Sequence, residues 1–154
     1  MSFLLMAEAS SNASSMVFSL RLSKVCFLSH GHYDHSGGFG TYLAENKEAV
    51  LYMMKDATED YYSASGEMHQ IGIPAEVIEK HEERFRFVAG VKQIRDDIYL
   101  VPHQTEDLAK IGERAKLYRK IEDEFVPDDF SHEMSVVFDT KKGLVIFNSC
   151  SHGG

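Results

Sequence analysis

Within six consecutive residues, His30-Gly31-His32-Tyr33-Asp34-His35, the chain carries three imidazoles and a carboxylate. Neutral imidazole and carboxylate are the ligands that zinc and similar divalent metals accept. In an extended segment His30 and His32 would point the same way, because side chains alternate with period two. Asp34 and His35 then fall on the following loop, within reach of a second ion. A metal-bound water loses a proton near neutral pH and becomes a strong nucleophile, and Asp34 is placed to act as its general base. Hydrolysis of an ester, phosphoester or amide is the chemistry such ligands favour. A tag or a random surface loop does not explain the cluster, since Tyr33 and Asp34 interrupt it between an apolar run and a glycine pair.

The flanking residues must hold these ligands in place. Val25-Cys26-Phe27-Leu28-Ser29 reads as a buried strand, and Gly37-Gly38 allow a tight turn. That puts the cluster outside the carboxyl edge of an α/β sheet, where such folds carry their sites. Ser2 to Met6 reads as the first strand, followed by a small, polar stretch from Ser10 to Leu22. Phe39 to Lys47 reads as a helix with Tyr42 and Leu43 toward the core, and Ala49 to Met54 as a buried strand. Residues 55–73 read as loop with one helical turn, and Pro74 as the opening of a helix to about Glu83. The next third looks antiparallel, with strands at Arg84–Val88, Val91–Ile94 and Ile98–Val101. The charged stretch 106–124 reads as a surface insertion, partly helical and mobile. Ser135–Asp139 and Leu144–Asn148 flank a hairpin turn at Thr140-Lys141-Lys142-Gly143. The whole is one α/β domain with outer helices.

Leu28-Ser29-His30-Gly31-His32-Tyr33-Asp34-His35-Ser36-Gly37-Gly38 resembles the signature of the metallo-β-lactamase fold, in the branch of dihydropteroate-synthase-like metallohydrolases. Gly143-Leu144-Val145-Ile146-Phe147-Asn148-Ser149-Cys150-Ser151-His152 resembles that branch's second ligand strand, and Pro127-Asp128-Asp129-Phe130-Ser131-His132-Glu133-Met134 its lead-in. The resemblance covers about residues 22 to 154 and implies an αββα sandwich, of which this chain would be the N-terminal half with a mixed sheet. It implies a first metal site from His30, His32 and His152, and a second to which Asp34 and His35 contribute. Three imidazoles leave the fourth tetrahedral position open to water, as in catalytic zinc sites. One or two ions are expected, zinc first, with iron and manganese also compatible. The branch adds a synthase chemistry, in which an arylamine attacks a pterin methylene carbon and pyrophosphate leaves. The resemblance also implies an aspartate at the end of the first strand; here Met6-Ala7-Glu8-Ala9 has none, and Glu8, the candidate substitute, has a longer side chain that would not hold the same geometry. A chain ending at Gly154 would lack the remaining ligands of a second site, so one weakly held metal and poor turnover are expected. The alternative function is a non-catalytic metal-binding remnant or interaction module.

Composition narrows the partners. With 16 Lys and Arg against 24 Asp and Glu, the formal net charge of −8 argues against a nucleic-acid or anionic-membrane surface. A small-molecule substrate fits better, with a homo-oligomer formed through an exposed sheet. No run reaches the roughly 18 apolar residues of a membrane span, and Met1 to Met6 is too short for a signal peptide. Cys26 and Cys150 are expected to be unpaired buried thiols of a cytoplasmic protein. Tyr33 is a candidate substrate contact or a packed ring. His132 and Glu133 are weak candidates for the site, while His69, His81 and His103 lack partners at ligand spacing.

Overall fold

The computed structural model describes residues 2–6 and 23–152, so the expectations for Glu8 and for residues 10–22 fall outside the described residues. Three four-stranded sheets organise them. The first consists of β1 (Ser2–Met6), β2 (Ser23–Leu28), β3 (Val50–Met54) and β6 (Phe85–Val88), paired side by side in that order and all parallel. Between β2 and β3 the chain makes two short helices, α1 (Tyr33–Ser36) and α2 (Phe39–Glu45). Between β3 and β6 lie a 3₁₀ turn (Lys55–Thr58), β4 (Tyr61–Ser63), β5 (His69–Gln70) and α3 (Ala75–Lys80).

Period-two alternation along β2 divides its side chains between two apolar layers. Cys26 and Leu28 join Phe39, Tyr42, Leu43, Leu51, Met53 and Phe85 on the helical side. Val25 and Phe27 join Val88, Ile98, Leu100, Met134 and Val136 on the other. That second layer is the contact with an antiparallel sheet of β7 (Lys92–Arg95), β8 (Ile98–Pro102), β11 (Met134–Thr140) and β12 (Gly143–Phe147), in the order β12-β11-β8-β7. The domain is therefore a mixed α/β sandwich, with helices outside one sheet and a second sheet against its other face.

Two expectations need correction, the pairing of residues 84–88 and the loop at 55–73. The strand expected at Arg84–Val88 is present as β6, but it pairs parallel with β3 rather than joining the antiparallel strands. Only β7, β8, β11 and β12 behave as that stretch of sequence suggested. Residues 106–124, expected as a partly helical surface insertion, contain α4 (Ala109–Ala115), β9 (Leu117–Ile121) and the start of β10 (Glu124–Pro127). β9 pairs antiparallel with both β10 and β4, and β4 with β5, making the third sheet. The segment expected as loop thus supplies two of that sheet's strands. These strands are short and polar, so they carry little hydrophobic signal, and β9 supplies their pairing from distant sequence.

The hairpin turn is where it was expected, with Gly143 at φ +118°, a conformation that suits glycine. Its second strand, β12, lies at the sheet's edge and exposes Leu144 (65%), Val145 (45%), Ile146 (61%) and Phe147 (44%).

Candidate metal centre

The end of β2 delivers the cluster. Ser29 and Met134 are tied by a backbone hydrogen bond (2.8 Å), which fixes the start of β11 beside the ligand loop. His30 follows at zero exposure, with its Nδ1 3.1 Å from Ser29 Oγ and its buried Nε2 without a hydrogen-bond partner. Gly31 lets the backbone pass the 3₁₀ turn, since a Cβ there would sit 2.8 Å from the Ala57 carbonyl oxygen. His32 is buried and caps the start of α1. One ligating atom each from His30, His32 and His152 lie within 4.8 Å of one another. Phe130 stacks on the His152 ring, with centroids 4.4 Å apart and planes 10° from parallel.

Behind His32 lies a network that the sequence did not reveal. The Gly31 N–H donates to His132 Nδ1 (2.8 Å), so that nitrogen is the acceptor and the ring's proton sits on Nε2. His132 Nε2–H then donates to Asp128 Oδ2 (3.2 Å). The same oxygen lies 2.9 Å from His32 Nε2, and Oδ1 accepts the Phe130 N–H (2.8 Å). Burial alone would push the Asp128 carboxyl up, but hydrogen bonds from His132 and His32 hold it well below the usual carboxylate range. An ionised Asp128 only accepts, so His32 carries its proton on Nε2 and turns the Nδ1 lone pair outward. A carboxylate behind an imidazole fixes tautomer and orientation in this way at metal sites generally. Tyr61 packs against His132, with ring centroids 4.1 Å apart.

No family model matches the chain. Over 139 residues it is 30% identical to the 7,8-dihydropterin-6-methyl-4-(β-D-ribofuranosyl)-aminobenzene-5'-phosphate synthase of Methanocaldococcus jannaschii, covering 82% of this chain and 46% of that protein. It superposes on the crystal structure of a metal-dependent hydrolase of the β-lactamase superfamily with a TM-score of 0.75 and 26% identity. That match covers 99% of this chain and 57% of the other. The chain has the metallo-β-lactamase fold and is similar to members of that superfamily. A subclass B3 metallo-β-lactamase from a soil metagenome library shares the fold more distantly, at a TM-score of 0.51 and 16% identity over 94% of this chain and 51% of that one. The chain spans about half the length of each of these relatives.

Superfamily members are metal-dependent, and the residues present suit a cation. Three imidazoles converge, and the buried Nε2 of His30 is satisfied by nothing in the protein. Burial, with four neighbouring histidines adding to it, holds His30 far below the usual imidazole range, so it stays an uncharged donor. Of the residues expected at a metal, His30, His32 and His152 share one such group, and His35 shares another with His30 and Cys150. Asp34 belongs to none of the three-residue donor groups among the described residues; its half-exposed carboxylate lies 3.3 Å from His35 Nε2. Asp34 and His35 do not lie on a loop as expected: both are in α1, which fixes them to the strand end. His132, weighed as a weak candidate, is fully buried in a third group with His32 and Asp128. Asp128 was not singled out from the chain's many acids. The phrase Asp128-x-Phe130-x-His132 did offer a spacing signal, since Asp128 and His132 close an i,i+4 contact.

The remaining residues sort plainly. Tyr33 is exposed and not packed, and with Asp34, Ser63, Ser65, His69 and Cys150 it lines a cleft of about 420 Å³ that His32 and His152 also face. Cys26 is buried as expected; Cys150 is exposed, which the sequence did not anticipate, and neither cysteine is in a disulfide. His103 donates its Nε2–H to the Phe130 carbonyl oxygen (2.6 Å), which can only accept.

Acid should therefore destabilise the fold. Burial holds His30, His132 and His152 below the ordinary imidazole value, so the unfolded chain takes up protons first as pH falls below about 6.5. Stability is intact above that pH and declines below it, by about 1.4 kcal/mol per pH unit for each fully buried histidine. Asp128 is depressed, so its contribution persists until the pH falls through about 4. Urea unfolding in chelator is expected to show a falling midpoint between about pH 7.5 and about pH 5.5. A flat profile over that range would contradict the neutral, buried imidazoles.

Proposed function

We propose that this chain carries the cation-binding face of a metal-dependent hydrolase, with His30, His32 and His152 as the ligands of its first ion and Asp34 and His35 beside a second. The observation that carries the reading is the convergence of three imidazole donors around a buried, unsatisfied His30 Nε2. A divalent cation, zinc by the donor chemistry and iron or manganese by the same ligand set, would supply Lewis acidity and bring the pKa of a water toward neutrality.

The chain's own residues do the rest. Asp128 holds His32 in the tautomer that presents Nδ1, and Phe130 holds the His152 ring flat. Asp34, half exposed at the cleft mouth, accepts the proton of the attacking nucleophile. Tyr33, Ser63, Ser65 and His69 offer polar groups along the cleft to a small ester, phosphoester or amide. The similarity to the Methanocaldococcus jannaschii synthase favours a second reading of the same site: an arylamine nitrogen bonds to a pterin methylene carbon as the bond to pyrophosphate breaks. Two cysteines outside any disulfide suit a reducing cytoplasm, and no described helix is long and apolar enough to cross a membrane.

The test is metal analysis of protein purified without chelator, followed by hydrolysis of nitrophenyl esters and phosphodiesters by the parent and His152→Ala. Retained metal with turnover that the variant loses supports the hydrolase. Retained metal without turnover on any of these, or with pterin diphosphate and arylamine, favours the non-catalytic metal-binding module. Protein that neither retains nor takes up a divalent ion sinks both.

The partner we propose through the exposed sheet is a second copy of the chain. An apolar edge strand with unpaired backbone groups invites strand-to-strand association. Light scattering is expected to show dimers or larger species for the parent, and a shift toward monomer for Ile146→Lys. A monomeric parent would refute the idea.

A further inference from the structure

We propose that Cys150 and His35, together with His30, form a thiolate-containing site for a thiophilic divalent cation, overlapping the three-imidazole group at His30. The proposal rests on the metal-centre reading above and adds a ligand that the sequence treated as a buried thiol. Cys150 Sγ lies 3.0 Å from His35 Nε2, and one ligating atom from each of the three residues falls within 4.8 Å of the others. On tetrahedral zinc a sulfur and a nitrogen are about 3.5 Å apart, given bonds of about 2.3 and about 2.0 Å. The observed spacing therefore needs only small shifts.

The tautomers agree. Ser29 Oγ stands 3.1 Å from His30 Nδ1 and 3.4 Å from His35 Nδ1. A hydroxyl oxygen has two lone pairs and can accept both Nδ1–H bonds, which leaves both Nε2 lone pairs open to an ion, His35 Nε2 beside Cys150 and the Asp34 carboxylate. His30 Nε2 is the independent sign of a ligand: it is buried and nothing in the protein satisfies it. His35 is nearly buried too, and its ring lies 4.1 Å from that of His30. The sulfur, by contrast, is exposed at the cleft, so an ion can enter without unfolding the core. One imidazole nitrogen binds one ion, so a cation held here draws His30 away from His32 and His152. A soft ligand selects among metals: thiolate favours zinc and its thiophilic neighbours over magnesium, calcium or manganese.

Cobalt(II) reports both groups by absorption. Added to the intact chain, it is expected to give visible ligand-field bands and, in addition, a near-ultraviolet thiolate-to-cobalt band. Cys150→Ser and His35→Ala should lose the near-ultraviolet band and keep visible absorption, as the ion moves to the three imidazoles. His152→Ala should keep the thiolate band, because it leaves His30, His35 and Cys150 intact. Cys26 is the chain's other cysteine, and burial pushes its thiol up, out of reach of this signal. Visible bands without a thiolate band in the parent would overturn this proposal while leaving the imidazole centre standing. Loss of the thiolate band in His152→Ala would overturn the assigned ligand set. No cobalt spectrum of either kind would overturn both readings.

Discussion

Asp128→Asn is expected to weaken zinc binding by on the order of 10- to 100-fold, the usual cost of removing a hydrogen-bond partner behind a metal-binding histidine. The reason is one of donors and acceptors. Asp128 Oδ2 serves His32 and His132, and Oδ1 serves the Phe130 N–H, so every oxygen meets a donor. An amide cannot face donors on both sides. With its NH₂ toward the histidines, His32 must accept at Nε2, and its proton moves to Nδ1, the atom offered to the ion. With its NH₂ toward Phe130, two donors confront each other in a buried place, at a cost of about 1–3 kcal/mol. Competition against a chromophoric chelator measures the first effect, and circular dichroism with urea unfolding measures the second. Unchanged affinity in a folded Asp128→Asn protein would remove the carboxylate from any role in presenting His32.

Gly112→Ala is expected to cost the fold about 3 kcal/mol, at the upper end for overpacking. Gly112 lies in α4, and a Cβ there would come 2.1 Å from the Asp128 carbonyl oxygen and 2.9 Å from its backbone carbon and nitrogen. Backbone cannot rotate away as a flexible side chain would. Either α4 lifts from the sheet or the Asp128 turn moves, and the second outcome carries His32 and His132 with it. Thermal unfolding and zinc affinity should therefore fall together in this variant. A methyl accepted with both quantities unchanged would mean that the helix does not brace the Asp128 turn. Ala115, in the same helix, is a reference site where substitution by Ser should leave zinc affinity unchanged.

These two residues mark the boundary of what was legible. His30, His32, Asp34 and His35 stood out as candidates because they are ligand-type residues at close spacing, and the run Val25–Leu28 placed them at a strand end, whereas His152 was reached through the resemblance of residues 143–152 to a ligand strand. The hairpin at Thr140–Gly143 was readable because two apolar strands flanked a glycine turn. β4 and β5 were not, since three and two residues are too few to show a period, and Tyr61–Ser63 becomes a strand only by pairing with Leu117–Arg119. The charged stretch 106–124 hid its strands for a related reason. High charge marks a solvated surface, yet both edges of β9 are paired and Gly112 of α4 is buried. Arg84–Val88 shows alternation but not direction, because strand orientation is a property of the neighbour and not of the strand.

By itself the sequence determined the α/β class and one rim of candidate ligands, both of which follow from residue type and from periods of two to four residues. Tertiary structure alone decided which imidazole nitrogen faces the centre, that Asp128 and His132 stand behind His32, and that Cys150 comes up beside His35. Those facts join residues about a hundred positions apart, such as Gly31 with His132 and His35 with Cys150. No local pattern encodes such contacts, because they exist only once the parallel sheet and the β11–β12 hairpin have packed against each other.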